Sequence, residues 1–389
     1  MGIAKDLRIA ARRWMAVRGE ASPSILCAAE RDSLRRTFAG WTPPADDVRG
    51  VTLHEIDAAS LPWTGTGIDL AAGDWVSTFA AGRSILSDAL AIWIGAGFQV
   101  WVRIGETGDA FRGTRATNTF RADRPGRLYL AAGFPGQWGD RQGRVSTALA
   151  DYASVTGGFT VAVVRWSGDA ASCLGRASSS APAPLAAMFA AELSRQEAVT
   201  PAPEGWSYLW FLGPAEAFRS AEVDGHGCIA CDTDGDASIL QREAPMDLLP
   251  GTRIAWSWKV DELPSSMAED SAASHDYLSV AVEFENGRDI TYTWSRELPA
   301  GTGYWCPLPT WKDREYHVVL RSGDEGLGTW IDEDRDLVAD YRRYIGEPPG
   351  RIVRVWLIAV SIFQKGRGRV AYRDLRLVPP GKAELVRLG

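Results

Sequence analysis

In the run Ile254-Ala255-Trp256-Ser257-Trp258-Lys259-Val260, every second residue is large and apolar and those between are small or charged. Successive side chains of a β-strand point to opposite faces, so a period of two commits the segment to a sheet with one buried face. The alternation returns in Leu278-Ser279-Val280-Ala281-Val282-Glu283-Phe284 and in Ile290-Thr291-Tyr292-Thr293-Trp294. Earlier in the chain, Trp75 to Phe79, Phe98 to Val102 and Phe159 to Val163 are short β-like runs between glycine-rich turns. The 17 Trp and 40 Gly match that pattern, because aromatic residues suit strands and glycine suits tight turns. The sequence therefore predicts a mainly β protein, with two antiparallel β-sandwich domains of jelly-roll or lectin-like type in tandem behind an N-terminal helical arm.

A chain of 389 residues exceeds what one core usually supports. Helical spacing of Ile3, Leu7, Ala10, Trp14 and Val17 predicts a helix over residues 3–18, and a second is expected from Ser24 to Arg36 after the break at Ser22-Pro23. The arm is assigned to residues 1–50 and the first sandwich to 51–172. Residues 173–204 read as a linker with a short helix, because Ser178-Ser179-Ser180-Ala181-Pro182-Ala183-Pro184 has linker composition. The second sandwich takes 205–389.

A net charge of −7 argues against a nucleic-acid partner, which requires a basic face. No run is long and apolar enough for a membrane span. The five cysteines do not form a disulfide framework and the N-terminus lacks a signal-peptide pattern, so a cytoplasmic location is expected, with the periplasm left open. A small molecule or glycan is the expected ligand, and a protein partner, if present, is expected at the helical arm.

Two resemblances refine this. Trp63-Thr64-Gly65-Thr66-Gly67-Ile68 after Leu61-Pro62, then Gly73-Asp74-Trp75, Val102-Arg103-Ile104-Gly105 and Pro125-Gly126-Arg127-Leu128-Tyr129-Leu130 resemble the bacterial galactophilic lectins, over roughly residues 51–166. The resemblance implies a sandwich whose loop holds calcium and, through it, sugar hydroxyls. Here Gly133 and Asp140-Arg141 stand at the ligand positions, so calcium binding is expected to be lost or much weakened. Residues 206–378 resemble the bacterial domain of unknown function 3047, through Trp256 to Pro264, His275-Asp276-Tyr277, Tyr292-Thr293-Trp294, Leu327-Gly328-Thr329-Trp330 and Val370 to Leu375. That resemblance implies a lectin-like sandwich and brings no activity with it.

Chemistry is sought on the second sandwich. No strand carries the paired acids of a retaining glycosidase. Tyr292, Trp294 and Arg296 alternate along one strand, and His275, Tyr277 and His317 lie nearby in sequence order. Two assignments follow: His275, Tyr292, His317 and Arg296 as acid–base or catalytic groups, and Trp258, Tyr277 and Trp294 as ligand-binding groups. The structural alternative is an aromatic core between two sheets. Cys228 and Cys231 point to opposite faces of a strand, which opposes shared metal ligation. Asp232, Asp234 and Asp236 begin like a calcium loop, but Arg242 stands where the closing Glu belongs. No cofactor is expected, and Asp140, Asp232, Asp234 and Asp236 are the remaining metal candidates. Three functions stay open: a carbohydrate- or glycoconjugate-binding protein, an enzyme of the lyase, isomerase or hydrolase kind acting on a cyclic substrate in the concave face of the second sandwich, and an accessory subunit of a larger complex.

Overall fold

The computed structural model describes residues 2–58, 63–134, 136–147, 149–381 and 386–387. Leu61-Pro62 of the lectin-like motif lie outside the described residues. The chain divides into two compact units, Trp14–Val199 with Trp210–Pro214, and Met1–Arg13 with Thr200–Leu209 and Ala215–Gly389. The fold is mainly β, built from mostly antiparallel sheets, with helices mainly near the N-terminus and in the middle of the chain.

In the first unit, a five-stranded sheet orders Val48–Asp57, Thr156–Trp166, Trp75–Ser87 and Ile92–Gly95, with Thr117–Arg121 pairing on Trp75–Ser87. A three-stranded sheet comprises Thr64–Leu70, Gly126–Ala132 and Val100–Ile104. The segment read as a linker with a short helix holds that helix as Ala183–Glu197, and its serine-rich start is a second helix, Ala170–Ser180. Their Cys173, Leu174, Ala177, Leu185 and Phe189 are buried with Phe38, Trp41, Phe79 and Trp166. The serines and alanines that look like a flexible spacer are helix-compatible, and Asp169 caps the first helix by accepting the Ser172 N–H at 3.0 Å. The helix Pro23–Ala39 also belongs to this core, through Leu34 and Phe38.

The helix Gly2–Val17 forms as the spacing predicts, but it buries a different face. Leu7, Trp14 and Met15 are exposed, whereas Ile9 and Arg13 are buried. Arg13 is tolerated there because its guanidinium donates to the Phe363 carbonyl at 2.8 Å and the Gln364 carbonyl at 3.2 Å.

The second unit is a sandwich. Its six-stranded sheet orders Phe218–Val223, His226–Asp234, Arg367–Val378, Arg253–Glu262 and Ile331–Asp336, with Val386–Arg387 pairing on Arg367–Val378. Its seven-stranded sheet orders Gly303–Trp305, Glu315–Ser322, Asp289–Ser295, Tyr277–Phe284, Arg351–Val360, Ala237–Asp247 and Ser207–Tyr208. Asp289–Ser295 and Glu315–Ser322 run parallel. The face of the larger sheet bearing Leu278, Val280, Val282, Ile290, Tyr292 and Trp294 meets Ile254, Trp256, Trp258 and Val260 of the other sheet in one core. The alternation in the sequence records this core.

Candidate functional site

The opposite face of the seven-stranded sheet carries the chemistry. His317 and Glu315 alternate on one strand, and the register places Tyr304 beside His317. Cys306 follows directly, its N–H donating to the Glu315 carbonyl at 2.9 Å. His275 and Tyr277 come from the loop and strand start that lead into Tyr277–Phe284. Asp276, between them, fixes that loop by accepting the Phe363 and Gln364 N–H groups at 2.9 and 2.6 Å.

Together, His275, Cys306, Glu315 and His317 bring four donor atoms within 4.8 Å of one another. They are 0, 1, 3 and 0% exposed respectively. His275 Nδ1 donates to the Glu269 carbonyl at 2.7 Å, so its Nε2 presents a lone pair, 3.2 Å from Cys306 Sγ. Tyr277 donates its hydroxyl to Glu315 Oε1 at 2.6 Å. His317 Nε2 lies 3.3 Å from the same oxygen, but the two are not aligned as a hydrogen bond, and neither ring nitrogen of His317 has a hydrogen-bonding partner. Tyr304 stacks flat on the His317 ring at 4.8 Å. Burial, reinforced by His317, pushes His275 down to about 3. Burial and Glu315 raise Tyr277 and Cys306 well above their ordinary ranges. Burial opposes ionisation of Glu315 too, but the adjacent His317, with His275 and Tyr277, holds its carboxyl below the usual range. A set of two imidazoles, a thiol and a carboxylate, closed from solvent, has the donor chemistry of a transition-metal centre. Acid–base work on a substrate by His275 or His317 would need an accessible face that such burial does not provide.

The remaining predicted residues lie elsewhere. Trp258, Tyr292 and Trp294 are buried in the inter-sheet core, so the shared face assigned to a ligand is the packing face. Arg296 is half-exposed and pairs with Asp324, while its N–H donates to Glu269 Oε1 at 2.7 Å. Asp140 is turned into its own loop, accepting the Arg144 N–H at 3.0 Å. Asp232 pairs with Arg367, Asp234 is exposed, and Asp236 accepts the Ala237 N–H at 2.7 Å. Cys231 is buried in the core and Cys228 half-buried, as opposite faces of a strand require.

On the other face of the strand pair Gly303–Trp305 and Glu315–Ser322, the cross-strand partners Trp305 and Tyr316 begin an aromatic ridge. Their ring centroids are 4.9 Å apart, and Tyr316 lies 6.1 Å from Tyr344. The Arg288 and Arg343 guanidinium carbons stand 5.4 and 5.1 Å over Trp305 and Tyr344. Tyr344 ends the helix Leu337–Tyr344, which Asp336 caps by accepting the Ala339 N–H at 2.9 Å. A Cβ on Gly303 would sit 2.8 Å from Tyr316 Cε1 and 2.9 Å from Tyr344 Cδ1, so glycine is what lets the ridge close.

Residues 204–376 match the family model described as protein of unknown function (DUF3047). The DUF3047 segment contains all four donors of the buried centre and the three rings of the ridge. No curated protein matches the chain. Among solved structures, the N-terminal domain of EclA, a PllA-like lectin, is 15% identical, covering 31% of this chain and 99% of its own at a TM-score of 0.24. The module TmCBM61, solved with β-1,4-galactotriose, is 11% identical, covering 46% of this chain and 90% of its own at 0.24. The xyloglucanase domain of NopAA from Sinorhizobium fredii, solved with cellobiose, is 10% identical, covering 46% and 94% at 0.28. Lectins and carbohydrate-binding modules are thus among the structural neighbours.

Sequence reasoning found His275, Tyr277 and His317 but missed Cys306, Glu315 and the ridge. The signal was present: Glu315-x-His317 is a one-face pair at strand period, and Trp305 and Tyr316 occupy the intervening parity.

Proposed function

We propose that this protein binds glycans through the ridge Trp305–Tyr316–Tyr344 on the edge of the larger sheet of the second unit. The observation that carries this reading is Trp305, 38% exposed on an edge strand with a tyrosine ring at its flank and an arginine over its face. The C–H face of a sugar packs on such rings, while the Tyr hydroxyls and the Arg288 and Arg343 guanidinia offer hydrogen bonds to ring hydroxyls. The ridge replaces Trp258, Tyr277 and Trp294 as the ligand surface, because those side chains are buried and Trp305 is not. The test is a glycan array probed with the full chain, followed by calorimetric titration of the oligosaccharides that score. Trp305→Ala should weaken binding at least about tenfold, the equivalent of about 1.4 kcal/mol. Absence of any bound glycan, or equal affinity of the variant, would remove the reading.

A further inference from the structure

We propose that the second unit holds a zinc ion in a closed site made by His275 Nε2, Cys306 Sγ, a Glu315 carboxylate oxygen and His317. The inference is independent of the glycan reading.

Geometry is the first support. Zinc bonds of about 2.0–2.3 Å place neighbouring ligand atoms of a tetrahedron about 3.3–3.8 Å apart. The His275–Cys306 separation is 3.2 Å and the His317–Glu315 separation 3.3 Å, with all four donors inside 4.8 Å. Small side-chain adjustments close such a set around an ion.

The second support is the state of His317. Its ring is wholly buried, and neither nitrogen finds a hydrogen-bonding partner. A buried polar group left unsatisfied costs free energy, and a cation bound among these donor atoms would satisfy one of the two nitrogens. Glu315 points the same way. Its carboxylate is buried among the same donor atoms, where a divalent ion is a counter-charge that it can ligate.

The outer contacts are those that orient ligands. The Glu269 carbonyl fixes the His275 tautomer so that Nε2 faces the centre. The Tyr277 hydroxyl holds Glu315 through one oxygen, and Tyr304 stacked on His317 sets that ring plane. Donor identity selects the metal. Calcium and magnesium take oxygen ligands, whereas a thiolate with two imidazoles and one carboxylate suits zinc. On binding, the Cys306 thiol becomes a thiolate and its proton passes to solvent. With every ligand drawn from the protein and buried, no position is left for substrate, and the ion's role is structural. It ties the His275 loop and the Cys306 segment to the strand Glu315–Ser322, whose opposite face bears Tyr316.

The test uses the full chain, purified without chelator or affinity metal. Mass spectrometric metal analysis should find about one zinc per chain, as for a four-ligand structural site. Reloading with cobalt(II) should give the near-ultraviolet thiolate charge-transfer band and the strong visible bands of a tetrahedral ion. Cys306→Ser should abolish the charge-transfer band, and His317→Gln should reduce metal content severalfold. Because a variant that fails to fold would also lose metal, the wild-type chain is melted before and after chelation. Its melting temperature should fall on chelation and recover when zinc is added back. A wild-type chain that takes up no zinc, a cobalt spectrum lacking the thiolate band, or metal retained in full by both folded variants would overturn the proposal.

Discussion

The Tyr292 hydroxyl donates to Asp340 Oδ2 at 2.9 Å, and Arg335 grips the same carboxylate through Nε and Nη2 at 2.9 and 2.7 Å. Tyr292 is therefore a core residue whose one polar atom is satisfied by a helix-borne acid, with the edge of the Asp336-capped helix tied to the sheet. Tyr292→Phe should cost about 1.5–3 kcal/mol, the usual worth of a hydrogen bond to a charged group. Chemical denaturation checks this. Glycan affinity should stay unchanged; loss of binding at constant stability would return Tyr292 to the site.

Two tryptophans separate packing from recognition. Trp258 is fully buried 5.8 Å from Trp294, whereas Trp305 stands on an edge. Trp258→Ala should destabilise the fold by about 3–5 kcal/mol, and Trp305→Ala by less than about 1 kcal/mol. Equilibrium unfolding of both variants is the measurement, and equal losses would contradict the assignment.

Gly82 holds φ at +125°, and a Cβ there would stand 2.1 Å from the Gly158 carbonyl oxygen. The obstruction is backbone in the paired strand, so no side chain can swing aside. Gly82→Ala should destabilise the first unit by more than about 3 kcal/mol, combining dihedral strain with steric displacement. A thermal melt within a degree or two of wild type would show that the strand pair yields.

Glu55 sets an acid limit on the first unit. Burial favours its neutral form, but Arg35, Arg31 and the Thr160 hydroxyl outweigh that and hold its carboxyl at about 2. A folded value below the unfolded one of about 4.3 gives stability that is fully present above about pH 5 and lost as pH falls toward 2. The group is half-exposed, so salt should weaken the effect. Glu55→Gln should flatten the dependence of melting temperature on pH across that window, most visibly at low ionic strength; identical profiles would count against it.

The sheet strands were legible because burial of one face imposes a period of two on the sequence, as in Ile254 to Val260 and Ile290 to Trp294. The helices Gly2–Val17 and Pro23–Ala39 were legible from spacing and from Pro23. The burial of Arg13 beneath the exposed Leu7 and Trp14 was not, since it depends on carbonyls at residues 363 and 364 that local sequence does not reveal. The same limit governs the site. Alternation says that Tyr292, Trp294 and Trp258 share faces, but only the opposing sheet makes those faces a core. His275 and Cys306, 31 residues apart, meet because a loop held by Asp276 folds back over the strand bearing His317. The sequence by itself determined the class of fold and the parity of each strand. Which parity is packed, which is exposed at an edge and which donors converge was decided by tertiary structure, because these depend on partners brought together only when the sheets pair.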